Sequence, residues 1–438
     1  MKIYLVNPSR FLKDGTIEKA KRIFFPSLTL PLLAAMTPPP HNVTIVEELV
    51  DEIPFDKPCD LAGITSYSTN IARAYEIADE FRRRKVRVVM GGFHVSAEPE
   101  EALHHADAVF IGESEETWPG FLEDFESGKV KNIYGPAKFP ALDHLPVPRY
   151  SLLDTSKLAG DKGFSRYFMK PVLSVQTARG CPQNCDFCSV AKFYGRRHRP
   201  RPLPEVIHEI RILGAKIIFF VDEDIFFPPK RARELFRSLI PLDIRWIGQA
   251  LISAAEDEDL VRLARRSGCL GLLIGLESLS SQSLASMGKS FNRVERFERN
   301  IKVFRRAGIE LDISMMFGFD EDGPSVFRET YDFLKRNHVS YAAWWPLTPF
   351  PGTALYERLR RQGRLKDEKW WLKKASTGFE LKFSPAGMDD ETFRRNFYRV
   401  YGRFYSRGNI LRRFLLPPNN KSIFNILYSL FLRRTLKL

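Results

Sequence analysis

Short apolar runs alternate with amphipathic stretches from the first residues onward. Lys2–Asn7, Val43–Glu47, Leu61–Thr65, Val86–Met90 and Ala108–Ile111 are compact apolar or β-branched segments that predict strands. Between them, Ile71–Arg84 sets Ile71, Ala74, Tyr75, Ala78 and Phe81 on one face of a predicted helix. Strands separated by helices predict a parallel sheet covered on both faces, so residues 1–135 read as a doubly wound, Rossmann-like α/β domain. Ligands of such sheets lie beyond the carboxyl ends of the strands, where the strand order reverses. Those ends carry Ser66-Tyr67-Ser68-Thr69, Gly91-Gly92-Phe93-His94 and Gly112-Glu113-Ser114-Glu115. Either each glycine only turns the chain, or the three small and polar ends together bed one broad ligand.

Residues 136–170 contain Pro136, Pro140, Pro146 and Pro148, show little periodicity, and read as a linker. From 171 to 355 the alternation returns. Strands are predicted over Val172–Thr177, Lys216–Val221, Asp243–Gln249, Leu270–Leu276, Glu310–Phe317 and Ala342–Thr348. Helices such as Pro204–Leu213, Lys230–Leu239, Glu258–Ser267, Val294–Ala307 and Ser325–Asn337 fit between them. Six βα units predict a full or partial TIM-like parallel barrel, here (β/α)6, whose chemistry sits at the C-terminal strand ends. Residues 356–438 read as mainly helical.

Composition adds constraints. The 438 residues are 44% hydrophobic and 27% charged, a globular balance that accommodates two or three domains. No run of about 18 apolar residues argues for a spanning helix. The opening MKIYLVNPSR lacks a signal-peptide pattern, so the expected location is the cytoplasm. Five cysteines are too few for a disulfide scaffold, yet three fall within eight positions, which in a reducing compartment points to a metal site. Net charge is +14, and no acid follows Glu391, while eleven arginines and lysines do. The positive charge therefore belongs to the C-terminal end. There, Ser422–Arg434 reads either as an interfacial helix at an anionic membrane or as a terminal helix docked on the barrel. Nucleic acid is the weaker partner, since no RNA-binding module is recognisable.

The three clustered cysteines lie in Thr177-Ala178-Arg179-Gly180-Cys181-Pro182-Gln183-Asn184-Cys185-Asp186-Phe187-Cys188, a CxxxCxxC loop directly after the first predicted barrel strand. Thiolates at this spacing can converge on one centre. Zinc takes four ligands, typically from two pairs, but Cys59 and Cys269 are isolated and His198 is a weak fourth, so zinc is the minor reading. Three thiolates suit a 4Fe–4S cube that leaves one iron free.

A CxxxCxxC with Phe187 before its last cysteine, in the first loop of a βα barrel, resembles the radical S-adenosylmethionine superfamily over about 171–355. The resemblance implies that Cys181, Cys185 and Cys188 bind the cluster and that the free iron chelates S-adenosylmethionine. Reductive cleavage would then give a 5′-deoxyadenosyl radical, with a flavodoxin or ferredoxin as the reductant. It also implies that the acidic end of the second strand, Asp222, Glu223 and Asp224, helps to position the methionine amino group; an N-cap is the alternative. Ile274-Gly275-Leu276-Glu277-Ser278 resembles the family's fourth-strand motif, making Glu277 and Ser278 candidate contacts to S-adenosylmethionine. Gln249 either joins them inside the barrel or is a satisfied core amide.

A doubly wound domain ahead of such a barrel resembles the cobalamin (B12)-binding subgroup. By that likeness Ser66, Tyr67, Ser68, Gly91, Gly92, His94 and Gly112 belong to a corrinoid site. The DxHxxG signature is absent, and Val6-Asn7-Pro8-Ser9-Arg10 stands at the end of the first strand. The likeness implies a cobalamin-dependent methyltransferase acting on an unactivated carbon of a small-molecule or lipid substrate. The alternatives are radical C–C or C–S bond formation or cyclisation without methyl transfer, and a metal- or corrinoid-binding scaffold.

Overall fold

The computed structural model describes residues 1–158, 172–374 and 379–415, together with Ser429. The first sheet contains β1 (Lys2–Asn7), β2 (Asn42–Glu47), β3 (Leu61–Thr65), β4 (Arg87–Gly91), β5 (Ala108–Phe110) and β6 (Ile133–Tyr134). All pair in parallel, in the order β2-β1-β3-β4-β5-β6. Successive residues of β1 serve opposite faces: Ile3 and Leu5 join one core with Leu30, Val43 and Trp118, whereas Tyr4 and Val6 join another with Ile64, Phe81 and Met90. Burial on both sides is why the strand sequences run apolar rather than alternating. The order reverses between β1 and β3, which opens the crevice of a doubly wound sheet at their carboxyl ends.

Several elements of this half escaped the sequence reading, two of them for clear reasons. Thr29–Met36 is a helix, but Leu30, Pro31, Leu32, Leu33, Ala34 and Ala35 give it no polar face, so no helical period shows. Only two residues long, β6 carries too little pattern to register.

The second sheet is built from β7 (Val172–Val175), β10 (Ile217–Phe220), β11 (Arg245–Ala250), β12 (Cys269–Glu277), β13 (Glu310–Phe317) and β14 (Tyr341–Pro346), all parallel in the order β14-β13-β12-β11-β10-β7. It is a partial barrel of six strands. Leu311, Ile313, Met315 and Phe317 of β13 point outward into helix packing, and Phe317 stacks on Phe327 at 4.8 Å. Their alternates Asp312, Ser314 and Met316 face the lumen. The predicted strand Val172–Thr177 leaves the sheet after Val175, because β8 (Ala178–Arg179) turns to pair antiparallel with β9 (Arg199–Pro200). The open edge of β14 is capped by Tyr405, whose hydroxyl donates to the Ala342 carbonyl at 2.9 Å and accepts from its amide at 3.1 Å.

Beyond the barrel the chain is helical over Ala354–Arg361, Asp390–Phe404 and Arg407–Leu415. The intervening stretch is irregular. It brings Trp370 and Trp371 into the core of the first half, where the Trp371 indole donates to Glu101 at 3.0 Å. Among the described residues no helix is long and apolar enough to cross a membrane. The tail helix expected over Ser422–Arg434, apart from Ser429, and the linker beyond 158 lie outside the described residues.

Candidate functional site

The cysteine loop is held from three sides. At its start Gly180 adopts φ +84°, and a side chain there would collide with the Arg197 carbonyl oxygen. Asp222, at the end of β10, accepts from the Thr177 hydroxyl at 2.6 Å and its amide at 2.9 Å, tying the loop's root to the neighbouring strand. At its middle the Asp186 amide donates to the Met287 carbonyl at 3.0 Å, and Arg358 pairs with the Asp186 carboxylate. Cys181, Cys185 and Cys188 are free thiols, each partly buried. Burial raises all three, Cys185 to about 11. Three thiolates from one loop fall one short of the four ligands of a structural zinc site and fit a 4Fe–4S cluster in which each takes a different iron.

Beside this loop, β12 ends in a register shift between Gly275 and Glu277, and Glu277 takes φ +69°. Such irregularities re-aim side chains next to functional sites. The Glu277 carboxylate turns inward to Lys289 at 2.8 Å and the Ser314 hydroxyl at 3.1 Å. Both members of the ion pair are almost fully buried. Lys289 escaped the sequence reading. It reaches the site because Gly288, at φ +68°, packs against the loop so tightly that a Cβ would lie 2.6 Å from the Asn184 carbonyl oxygen. The Lys289 ammonium then sits 5.9 Å from the Phe187 ring and offsets charge at Cys185 and Cys188. Ser278 accepts the Ser280 amide at 3.0 Å, a local turn contact. The Gln249 amide reaches the Asp222 carbonyl oxygen at 3.4 Å.

The acidic end of β10 divides three ways. Asp222 is the tie just described, and burial lifts its carboxyl to about 6. Asp224 accepts the Phe226 amide at 3.1 Å in a local turn; it does not cap the following helix, which starts at Pro229 with no side-chain cap. Glu223, lifted by burial to about 7, lies both in a small pocket beside Cys181 and His198 and in a much larger cavity.

That larger cavity, of about 520 Å³, lies between the carboxyl ends of the two sheets. One wall is Asn7, Gly63–Thr65, Tyr67, Gly91–Phe93 and Gly112–Glu115; the other is Ser174, Gln176, Arg179, Phe219, Val221 and Glu223. Tyr67, Gly91, Gly92 and Gly112 therefore line one space. Gly92, at φ +106°, permits a closeness that a side chain would forbid, since a Cβ would fall 2.5 Å from the Ser66 carbonyl oxygen. A broad, open chamber with a glycine-built bed fits a corrinoid-sized group.

Three expected residues turn out to lie beneath that bed. Ser66, Ser68 and His94 are buried and do not line the cavity. His94 is a correction to the expectation: a short helix over Phe93–Ala97 rotates its ring away, between the Ser68 hydroxyl at 2.9 Å and Glu101 at 3.3 Å. Burial lowers its pKa.

Charges join the two halves. Arg179, two residues before Cys181, pairs with Glu113 and Glu115 of the loop after β5, each at 2.5 Å, and Arg199 pairs with Glu113. All four side chains are largely buried, so the sequence Gly112-Glu113-Ser114-Glu115 is fastened directly to the cysteine loop.

Three family models match the chain: the radical SAM superfamily over residues 175–334, the B12 binding domain over 32–122, and a domain of unknown function (DUF4070) over 353–417. The bacteriochlorophyllide d C-8(2)-methyltransferase of Chlorobaculum tepidum is 30% identical over 93% of this chain and 91% of that protein. The bacteriochlorophyllide d C-12(1)-methyltransferase of the same organism is 31% identical over 93% and 89%. Among solved structures, the radical S-adenosylmethionine methyltransferase TsrM from Kitasatospora setae, with tryptophan substrate and a S-adenosylmethionine analogue bound, superposes with a TM-score of 0.68 at 17% identity, covering 91% of this chain and 88% of its own.

Proposed function

The chain belongs to the cobalamin-binding branch of the radical S-adenosylmethionine superfamily, and from that premise we propose that it methylates an unactivated carbon of a small-molecule substrate. The observation that carries the reading is the shared cavity: the glycine bed of one sheet and the cysteine-loop side of the other face the same space. When bound, the cluster supplies the electron that releases a hydrogen-abstracting 5′-deoxyadenosyl radical from S-adenosylmethionine, and the corrinoid supplies the methyl group.

The chain's own residues divide the remaining work. Cys181, Cys185 and Cys188 hold the cluster, and because burial raises their thiols, metal loading is coupled to proton release. Lys289 and Glu277 present a cation and a carboxylate at the strand ends, complementary to the carboxylate and ammonium of S-adenosylmethionine, with Ser278 and Ser314 beside them. Asp222 keeps the cysteine loop seated, and Asp224 shapes the turn after β10. Glu223 stands where the two pockets meet and can hold or release a proton there near neutrality. Tyr67, Gly91, Gly92 and Gly112 bed the corrinoid. The residues lining the cavity include no histidine, with Asn7 at the end of β1 and His94 turned away, so a corrinoid there would be held without an imidazole from this lining.

Two relatives are named as bacteriochlorophyllide d methyltransferases, which makes a chlorophyllide-type tetrapyrrole the substrate class to test first. A flavodoxin or ferredoxin donor, a cytoplasmic location and peripheral membrane contact through the basic C-terminal end belong to the same proposal and rest on the sequence.

The test is anaerobic reconstitution with iron, sulfide and hydroxocobalamin, followed by S-adenosylmethionine, reductant and bacteriochlorophyllide d. Formation of both 5′-deoxyadenosine and S-adenosylhomocysteine is expected. The first without the second would replace methyl transfer with another radical reaction.

A further inference from the structure

One carboxylate inside the barrel has no task in the chemistry above. Asp312 lies on the lumen face of β13, two residues before Ser314. It pairs in register with Leu273, which pairs with Gln249, so the three form one tier across β11, β12 and β13. The next tier toward the strand ends is Gly275, Ser314 and Ala343, all small. They put no large side chain of these strands between Glu277 and Asp312. Two large apolar side chains on the lumen face stay uncovered: Leu273 is 37% exposed and Trp345, which stacks on Phe379, is 43% exposed.

The Asp312 Oδ1 atom is buried and accepts no hydrogen bond among the described residues. Two donors of neighbouring elements are engaged elsewhere. Gln249 is engaged with the Asp222 carbonyl, and the Tyr405 hydroxyl, near enough to sense the carboxylate, is committed to Ala342. Burial raises the Asp312 carboxyl to about 6. Leaving such a group without a partner costs stability, and a mostly apolar chamber with one unanswered acceptor is the composition of a small-molecule site.

We propose that Asp312 anchors the methyl acceptor by accepting an N–H, O–H or ammonium donor from an otherwise apolar molecule lying against Leu273 and Trp345. The assignment rests on the proposed methyl transfer, takes the barrel lumen as the place where the acceptor lies, and adds the donor chemistry that holds it there.

Three probes of matched shape test it on the anaerobically reconstituted full chain: benzylamine, benzyl alcohol and toluene, with affinities measured by ligand-detected NMR. A hydrogen bond to a charged acceptor should favour one donor-bearing probe over toluene by about tenfold or more in the parent. Benzylamine ahead marks an ammonium site, and benzyl alcohol ahead a hydroxyl site. Asp312→Leu should erase the preference, retain toluene and melt at or above the parent temperature. Absence of a preference in the parent, its survival in Asp312→Leu, or a lower melting temperature in that variant each overturns the proposal. Production of S-adenosylhomocysteine is read separately, so failure of methyl transfer and failure of this site remain distinguishable.

Discussion

Replacing Lys289 with methionine isolates the contribution of the buried pair at the end of β12. Glu277 and Lys289 are each 7% exposed at the side chain, and Nζ stands 2.8 Å from Oε1. Removing one partner of a buried pair costs about 3–5 kcal/mol, because the survivor keeps its charge in a poor solvent. Ser314 still donates to Oε2 at 3.1 Å, so the expected loss lies at the lower end. At roughly 2–4 °C per kcal/mol for a unit of this size, Lys289→Met should melt about 6–12 °C below the parent. Removing both charges in Lys289→Met/Glu277→Gln should restore stability to within about 1 kcal/mol of the parent. The assay is thermal unfolding of the cluster-free protein by circular dichroism, completed as a double-mutant cycle. Equilibrium dialysis of S-adenosylmethionine against reconstituted protein supplies the second readout. There both the single and the double variant should bind weakly, since refilling the core does not replace the contact. A Lys289→Met loss below about 1 kcal/mol, or a Glu277→Gln change that costs as much again in its background, would refute the reasoning.

Other outcomes are equally specific. Gly288→Ala places a Cβ 2.6 Å from the Asn184 carbonyl oxygen at φ +68°, so iron and sulfide counts after reconstitution should fall while far-ultraviolet circular dichroism stays unchanged. Cys185→Ala should abolish the cluster's visible absorption and reduce 5′-deoxyadenosine to background by chromatography. Glu101 supplies a pH signature. Burial alone would raise its carboxyl, yet hydrogen bonds from His94, Lys369 and Trp371 outweigh burial and hold it at about 2. Its stabilising contribution is then fully present above the unfolded value, near 4.5, and is lost as the pH falls toward 2. Parent and Glu101→Gln melting temperatures should therefore differ most near neutrality and converge on acidification; a constant gap would contradict the assignment.

The strands were readable because β1 is buried on both faces and leaves the run Ile3–Val6, while β13 alternates buried Leu311, Ile313, Met315 and Phe317 with less buried residues; the structure reproduces both predicted ranges. The cysteine loop was readable because its spacing is local. Lys289 was not, since its approach to Glu277 depends on a chain return through the helix Ser281–Ser286 and on a left-handed Gly288; the one trace in the sequence is that glycine. His94 misled for the opposite reason. It stands next to a true cavity residue, Phe93, but the helix beginning there turns consecutive side chains in different directions. The exposed-looking acid run Asp222-Glu223-Asp224 could not reveal that its three carboxylates would face a backbone amide and hydroxyl, a cavity and a turn respectively. Asp312 gave no signal, because a single acid within an apolar strand is legible only once the strand's parity and its neighbours' sizes are known.

The fastening of Glu113 and Glu115 to Arg179 and Arg199 bears on how such enzymes can be rebuilt. Cut apart between the sheets, each half would present like charges at a surface shaped to be dry, acids on one side and guanidinium groups on the other. A transplanted corrinoid module would then seat on this barrel only if it brought both acids in the same loop. Modularity in this architecture is thus rationed by a handful of charges, which makes those positions the first to match when chimeras are planned.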